Sequence, residues 1–208
     1  MDLTIAGTTF AAPDAVAHGA STPGTSTPDA WSLDAAVLTG RSGPNTDLFV
    51  NPATGETRLE APRLLTSVPS GDFQLTALVD VEFGATFDAG VLLLWADEAN
   101  WAKLCLEYSP QNQAMVVSVV TRGASDDANG FTVTGSAAWL RISARQGAYV
   151  FHASSDADWW HLIRHFALAR PATHVGFEVQ SPVGAGCQAR FTEITYASST
   201  LGDLRDGS

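Results

Sequence analysis

The segment "WAKLCLEY", residues 101–108, carries residue types that bind and transform small polar molecules. In an extended strand the side chains alternate between two faces, so Trp101, Lys103, Cys105 and Glu107 share one face. An ammonium group and a carboxylate beside an indole ring offer charge, hydrogen bonds and a stacking surface to one ligand. Lys103 is also the only lysine in a chain with ten arginines. The pattern predicts a ligand site, and the alternative is an exposed Lys–Glu pair that contributes ~0–1 kcal/mol to stability.

Three further predicted strands carry polar residues that could join this site. They are "WLRISAR" with Arg141, "YVFHASS" with His152, and "HVGFEVQ" with Glu178. In each strand polar residues alternate with apolar ones, which is typical of a sheet with one buried face. If these polar faces line one concave sheet, Arg141, His152 and Glu178 converge on Lys103 and Glu107. The order of the strands decides this, and each residue could instead lie on a solvated face.

Proton transfer is a second use for the same residues. Lys103 and Glu107 could act as catalytic acid and base if burial shifts their pKa values toward neutrality. Glu107 and Glu178 could form the carboxylate pair of a glycosidase, which requires carboxyl groups ~5–9 Å apart. The sequence has no serine nucleophile elbow, no zinc-binding helix motif and no phosphate-binding glycine loop. We therefore predict no metal site and no cofactor, and the sequence leaves open whether the protein is an enzyme.

The segment "SSDADWW", residues 154–160, raises the question of a tryptophan platform for sugars. Its Ser and Asp residues can bond their own backbone, which is typical of a hairpin loop. If Trp159 and Trp160 begin the returning strand, they point to opposite faces. Two neighbouring rings therefore do not form one stacking surface. We predict a hairpin that anchors one tryptophan in the core.

The elements that must position these residues are short strands. Runs rich in β-branched and aromatic residues recur about every 8–12 residues, separated by turn residues. This spacing predicts an all-β fold, an antiparallel β-sandwich, with residues 31–197 as a single domain. Residues 1–30 are expected to be a flexible lead-in, because residues 11–30 are rich in Ala, Ser, Thr, Pro and Gly, and residues 198–208 a frayed tail.

Composition excludes several classes of partner. The formal net charge of −11 argues against nucleic acid, because an acidic surface repels phosphate. No apolar run approaches the roughly 20 residues that span a bilayer, so we expect no membrane association. The first residues lack the basic segment of a secretion signal, and Cys105 and Cys187 are expected to be buried thiols. These features favour a cytoplasmic protein, with monomer and homodimer both open.

Several short motifs follow one another in an order that resembles a known family. They are Thr46-Asp47-Leu48-Phe49, Ala89-Gly90-Val91, Trp101 with Lys103 and Glu107, Ser118 to Thr121, Ser125-Asp126, Arg141, and Ser155 with Trp160. Together they resemble the "regulation of enolase" family of uncharacterised domains, over roughly Trp31 to Tyr196. The resemblance implies a concanavalin A-like jelly roll. It implies no agreed activity, because jelly rolls host lectins, glycosidases, lyases and inert scaffolds.

The function that these observations favour is binding of a carbohydrate or similar small molecule on the concave face of the jelly roll. Trp101 would stack on the ligand, and the polar contacts would come from Lys103, Glu107, Arg141, His152 and Glu178. The alternative is a cytosolic enzyme in the same groove, either glycoside-processing or an acid–base isomerase or cyclase of a biosynthetic pathway. A third hypothesis is a regulatory scaffold, which requires an exposed apolar patch.

Overall fold

The computed structural model describes residues 2–5, 7–11 and 30–208, and these residues fold into β-strands without α-helices. The predicted all-β class is therefore confirmed. None of the described residues forms a helix long and apolar enough to cross a membrane. Most of the predicted lead-in, residues 12–29, lies outside the described residues.

Seventeen strands make up the described part of the chain. They are β1 (Asp2–Ile5), β2 (Thr8–Ala11), β3 (Trp31–Asp34), β4 (Val37–Ser42), β5 (Leu48–Val50), β6 (Thr57–Leu59), β7 (Arg63–Ser67), β8 (Phe73–Glu82), β9 (Ala89–Asp97), β10 (Asn100–Tyr108), β11 (Ala114–Arg122), β12 (Ser125–Thr132), β13 (Ala137–Arg145), β14 (Ala148–Ser154), β15 (His161–Phe166), β16 (His174–Gln180) and β17 (Cys187–Ala197).

Two large antiparallel sheets pack face to face as a jelly-roll sandwich. The front sheet has the order β1-β2-β7-β16-β9-β10-β11-β12, and the back sheet has the order β15-β14-β13-β8-β17-β4-β3. Strands β5 and β6 form a separate hairpin. Strands that are distant in sequence, such as β9 and β16, are neighbours in the front sheet, so this topology brings together residues almost 90 positions apart.

The core lies between the two sheets and follows from alternation along each strand. In β10, Leu104 and Leu106 point inward and are fully buried, and in β16 Phe177 does the same. Phe177 contacts Phe191 of the back sheet, with ring centroids 4.9 Å apart. Each fully buried Leu or Phe contributes roughly 1.5–3 kcal/mol to stability. Since the inner faces are apolar, the polar members of the same strands lie on the outer faces.

A connecting segment crosses the outer face of the front sheet. This cover segment, residues 43–62, includes the β5–β6 hairpin. It begins at an antiparallel bridge between Thr46 and Ser181, with both N···O distances 3.1 Å. The Val50 amide then donates a hydrogen bond to the Ser125 hydroxyl, at 2.9 Å. The cover segment is thus attached to both sides of the sheet, at the end of β16 and at β12.

Both predicted termini differ from expectation. Residues 2–5 and 8–11 form the β1–β2 hairpin, and Phe10 is fully buried against Phe177, with ring centroids 5.3 Å apart. The predicted frayed tail packs on the outer face of the back sheet, where Leu201 is fully buried. In both segments a buried apolar side chain offsets the entropy of ordering the chain, which composition alone did not reveal.

The loop 155–160 connects β14 and β15 as a hairpin, as predicted. The Asp156 Oδ1 atom accepts hydrogen bonds from the Asp158 and Trp159 amides, at 2.9 and 3.0 Å. The returning strand begins only at His161, so neither tryptophan belongs to it. Trp159 is 63% exposed, and Trp160 is buried outside the core, with its ring 3.6 Å from the Arg141 guanidinium. The prediction of a core tryptophan here was wrong, because the loop is longer than expected.

Candidate functional site

The outer face of the front sheet holds the polar residues predicted from "WAKLCLEY". Lys103 pairs with Leu93 of β9, and on the other side of Leu93 is Gly176 of β16. Glu178 lies two residues beyond Gly176 on β16, opposite Val91. Because Cβ directions alternate and the register is antiparallel, Lys103, Glu107 and Glu178 all project from this face. The prediction that the polar residues of β10 share one face is confirmed, because the alternate residues Ala102, Leu104 and Leu106 lie in the core.

Lys103 is a buried cation with a defined set of partners. Only 2% of its surface is exposed, and Nζ donates a hydrogen bond to Gln180 Oε1 at 2.7 Å. The Asp47 carboxylate of the cover segment lies 3.5 Å from Nζ, and the Trp101 ring centroid lies 5.8 Å away. Burial alone lowers the pKa of Lys103, but the Coulomb attraction of Glu178 and Asp47 outweighs burial and raises it. The lysine therefore stays charged in the folded protein.

Glu178 has no comparable set of partners. It is fully buried, and within the described residues no group donates a hydrogen bond to either carboxylate oxygen. Its neighbour Arg63, on β7, places its guanidinium 4.4 Å from the Trp95 ring centroid and donates to the Leu59 carbonyl at 3.4 Å. Burial raises the pKa of Glu178 to about 7, although Lys103 counteracts part of that rise. A buried carboxylate without donors is unfavourable for stability.

Glu107 is the second carboxyl group of the cluster and is partly exposed. It lies two residues beyond Cys105 on the same face, at the far end of β10. Burial raises its pKa to about 7, and Lys103 again offsets part of the effect. Two carboxyl groups of one face thus titrate near neutral pH. Such groups can give or take protons under physiological conditions.

Trp101 does not offer an open stacking surface. It is fully buried beneath the cover segment, where it packs with Leu48, Val50 and Leu93. Its indole Nε1 has no acceptor among the described residues. The physical reason is that the β5–β6 hairpin carries apolar side chains, and Trp101 supplies the apolar surface they need. The expectation that Trp101 stacks on a ligand is therefore corrected for this conformation.

Arg141 and His152 lie on the opposite side of the sandwich, on the outer face of the back sheet. Arg141 donates through Nη1 to the Gly207 carbonyl and through Nε to Thr76 Oγ1, the latter at 3.2 Å. His152 Nε2 lies 3.0 Å from the Leu204 carbonyl oxygen. These residues hold the C-terminal tail, and the structure does not bring them together with Lys103. Alternation predicted their outward direction correctly but not the sheet to which β13 and β14 belong.

Sequence reasoning missed three residues of the cluster. Asp47 comes from the cover segment, and the Thr46–Ser181 bridge positions it. Gln180 accepts from Lys103 and donates through Nε2 to the Phe87 carbonyl at 3.1 Å. Phe87 itself is 39% exposed and has a φ of 69°, which is rare for an aromatic residue. The tight loop before β9 gave no periodic signal by which Phe87 could have been found.

A separate cavity of about 350 Å³ lies away from this cluster, next to strands β1, β3 and β17. Its lining residues are Thr4, Ile5, Leu33, Ala35, Ala36, Glu193, Ile194 and Thr195. Glu193 is the only charged side chain among them. The cavity therefore lacks the converging polar groups that the front sheet provides, and the cluster around Lys103 is the better candidate site.

Comparison with known proteins supports the fold. A functionally unknown protein from Saccharomyces cerevisiae is 24% identical, with a TM-score of 0.74 over 86% of this chain and 96% of that protein. The GH43 protein BlXynB from Bacillus licheniformis is 16% identical, with a TM-score of 0.64 over 82% of this chain but only 35% of the enzyme. Xylan beta-1,4-xylosidase from Bacillus halodurans is 12% identical, with a TM-score of 0.57 over 88% of this chain and 41% of that enzyme.

At these identities the structural likeness shows a shared fold alone. No curated protein sequence matches the chain. One protein family matches residues 25–199, which make up most of this chain. The chain therefore belongs to the family described as "Protein of unknown function (DUF1349)".

Proposed function

We propose that this protein binds a carbohydrate or similar small polar molecule at the cluster of Lys103, Glu107, Glu178 and Gln180 on the front sheet. The observation that carries the proposal is the buried Glu178 carboxylate, to which no described group donates a hydrogen bond. Buried polar groups in proteins are nearly always hydrogen-bonded, and exceptions often mark functional positions. A ligand hydroxyl is a donor that would satisfy Glu178.

The neighbouring residues supply the other contacts that a sugar requires. The partly exposed Glu107 accepts hydrogen bonds at the rim, and deeper in the face Lys103 has one N–H left after its contacts with Gln180 and Asp47. Phe87, whose backbone is hydrogen-bonded to Tyr108 and to the Gln180 side chain and whose side chain is 39% exposed, would supply an apolar ring in place of the buried Trp101. The jelly-roll fold is shared with GH43 proteins, so carbohydrates are the first class of ligand to test.

Ligand access depends on the cover segment, residues 43–62. Glu178 is fully buried, so a ligand reaches both of its oxygens when the β5–β6 hairpin of this segment moves aside while Asp47 stays beside Lys103. The β5–β6 hairpin is held to the sheet by the hydrogen bond from the Val50 amide to the Ser125 hydroxyl and by apolar contacts with Trp101. The ends of the segment are attached through the Thr46–Ser181 bridge, the hydrogen bond from the Val179 amide to the Pro62 carbonyl, and the Asp47–Lys103 ion pair. Such a segment can open without disturbing the core between the sheets.

A second candidate is an acid–base enzyme that uses the same groups. The observation in its favour is that the pKa values of Glu107 and Glu178 both rise to about 7. A catalytic acid or base works best when its pKa is near the working pH. Any sugar that binds should therefore also be incubated with the protein and assayed for hydrolysis or isomerisation.

The test is a thermal-shift screen against neutral monosaccharides and disaccharides. A ligand at 100 times its Kd adds about 2.7 kcal/mol of stability, which raises Tm by roughly 5–11 °C in a domain of this size. We expect a hit that is clearly weaker in Glu178→Gln and persists in the control Glu82→Gln, which alters an exposed carboxylate of the back sheet. A hit of equal size in Glu178→Gln would refute the site. No hit at all would favour the scaffold hypothesis.

A further inference from the structure

We infer that the ligand of this site carries no negative charge and presents several hydrogen-bond donors, as an amino sugar or a neutral polyol does. The inference rests on the proposed function and extends it to a ligand class. It follows from the balance of donors and acceptors that the fold places around Glu178.

The acceptors of the cluster outnumber its available donors. Asp47, Glu107 and Glu178 are carboxylates, and all three are close enough to Lys103 to affect its pKa. Lys103 already donates to Gln180 and contacts Asp47. Both Glu178 oxygens remain without a donor within the described residues. A bound molecule must therefore bring donors rather than acceptors.

The other charged groups near the site strengthen this conclusion. Asp127 is exposed on β12 and adds a carboxylate at the rim, in register with Val119 beside Lys103. Among the residues that the structure describes, Arg63 is the one further cation facing Glu178, but its guanidinium stacks on Trp95 and donates to a backbone carbonyl. An anionic ligand would meet more carboxylates than cations here, and like charges at short range repel strongly where water is excluded.

Two alternatives fit the contacts less well. A buried lysine often binds a phosphate or a carboxylate, but the ammonium of Lys103 is already shared between Gln180 and Asp47. A metal ion would need several ligands converging on one point. Among the described residues no group of three His, Cys, Asp or Glu side chains is arranged to hold one. An organic molecule with hydrogen-bond donors, neutral or cationic, satisfies Glu178 without several protein ligands converging on one point.

The experiment compares sugars that share a pyranose skeleton and differ in the charge of one substituent, an ammonium at C2 or a carboxylate at C6. D-glucose, D-glucosamine and D-glucuronate, with their D-galactose counterparts, are titrated into the purified protein by calorimetry at about pH 7, where the carboxylates are partly or fully ionised. We expect the neutral or amino sugar to bind at least about tenfold more tightly than the uronate of the same skeleton. In Glu178→Gln the preference for the amino sugar should shrink, and in the control Glu82→Gln it should persist.

The outcomes distinguish a wrong ligand class from a wrong binding site. A uronate that binds as tightly as its amino or neutral counterpart overturns the ligand class while leaving carbohydrate binding intact. An unchanged preference in Glu178→Gln overturns the role of that carboxylate in selecting charge. Absence of binding by all six sugars overturns the proposed function and this inference together. As a readout that does not depend on one variant, the preference should also weaken at about pH 5, because Glu107 and Glu178 become protonated.

Discussion

Replacing Glu178 with Gln should stabilise the protein at neutral and alkaline pH. Glutamine matches the shape of the protonated glutamate but carries no charge. Burial raises the pKa of Glu178 from an ordinary value of 4.5 to about 7 in the folded protein. A shift of about 2.5 pKa units at 1.36 kcal/mol each corresponds to roughly 3 kcal/mol when the carboxylate is fully ionised in both states. Glu178→Gln removes this penalty, and Lys103 remains charged because Asp47 still lies beside it.

The sign of the effect depends on pH. Because the folded pKa is above the unfolded one, the folded state binds more protons between these two values. The stability that this group contributes is therefore fully present below about pH 4.5 and is lost as the pH rises through about 7. Wild type and Glu178→Gln should be about equally stable at the acidic end of this range. The variant should be more stable by roughly 3 kcal/mol at about pH 8.5.

The assay is urea unfolding of both proteins across this pH range, followed by tryptophan fluorescence. Glu82→Gln is the control, because the ion pair of Glu82 with Arg190 is exposed, and its loss is expected to change stability by no more than about 1 kcal/mol. If Glu178→Gln is less stable than wild type at alkaline pH, the carboxylate has a stabilising partner and the reasoning is refuted. A difference that does not vary with pH would likewise show that ionisation of Glu178 is not its cause.

Three further predictions concern other parts of the molecule. Lys103→Met should lower the free energy of unfolding by about 3–5 kcal/mol, because the buried carboxylates around Lys103 lose their cation. A smaller loss, measured by urea unfolding, would contradict the burial of Lys103 with these carboxylates. Phe87→Ala should leave Tm almost unchanged and weaken sugar binding by about 0.5–1.5 kcal/mol, and calorimetry with an unchanged Kd would exclude Phe87 from the site. Arg141→Ala should lower the free energy of unfolding by about 1–3 kcal/mol, because its hydrogen bonds to Thr76 and to the C-terminal tail are lost. The Kd for sugar should stay unaltered, and weaker binding would show that the back sheet takes part in the ligand site.

Much of the local structure was predictable from the sequence. Alternation along β10 and β16 assigned each side chain to the core or to an outer face, and the outward direction of Lys103, Glu107 and Glu178 followed correctly. The buried state of both cysteines also agreed, and neither forms a disulfide. The hairpin at residues 154–160 was predicted from its Ser and Asp residues. These features depend on neighbours a few positions away, so local backbone geometry suffices to predict them.

The set of residues that forms the site could not be predicted in this way, because it depends on contacts between distant segments. Lys103 and Gln180 are 77 residues apart in sequence, and Asp47 joins them from the cover segment. Arg141 and His152 have the same alternating pattern as Glu178, yet they belong to the back sheet. Alternation has a period of two residues and contains no information about which strands pair.

By itself, then, the sequence determined an antiparallel β-sandwich and the face on which each strand residue lies, because both follow from the period of the extended chain. Long-range packing sets the remaining features: the cover segment seals Trp101, Asp47 reaches Lys103, and Glu178 is buried with no donor from the described part of the chain. Strand order and loop crossings are set by packing of the whole core, and burial of a polar group is known only when every segment above it has been placed.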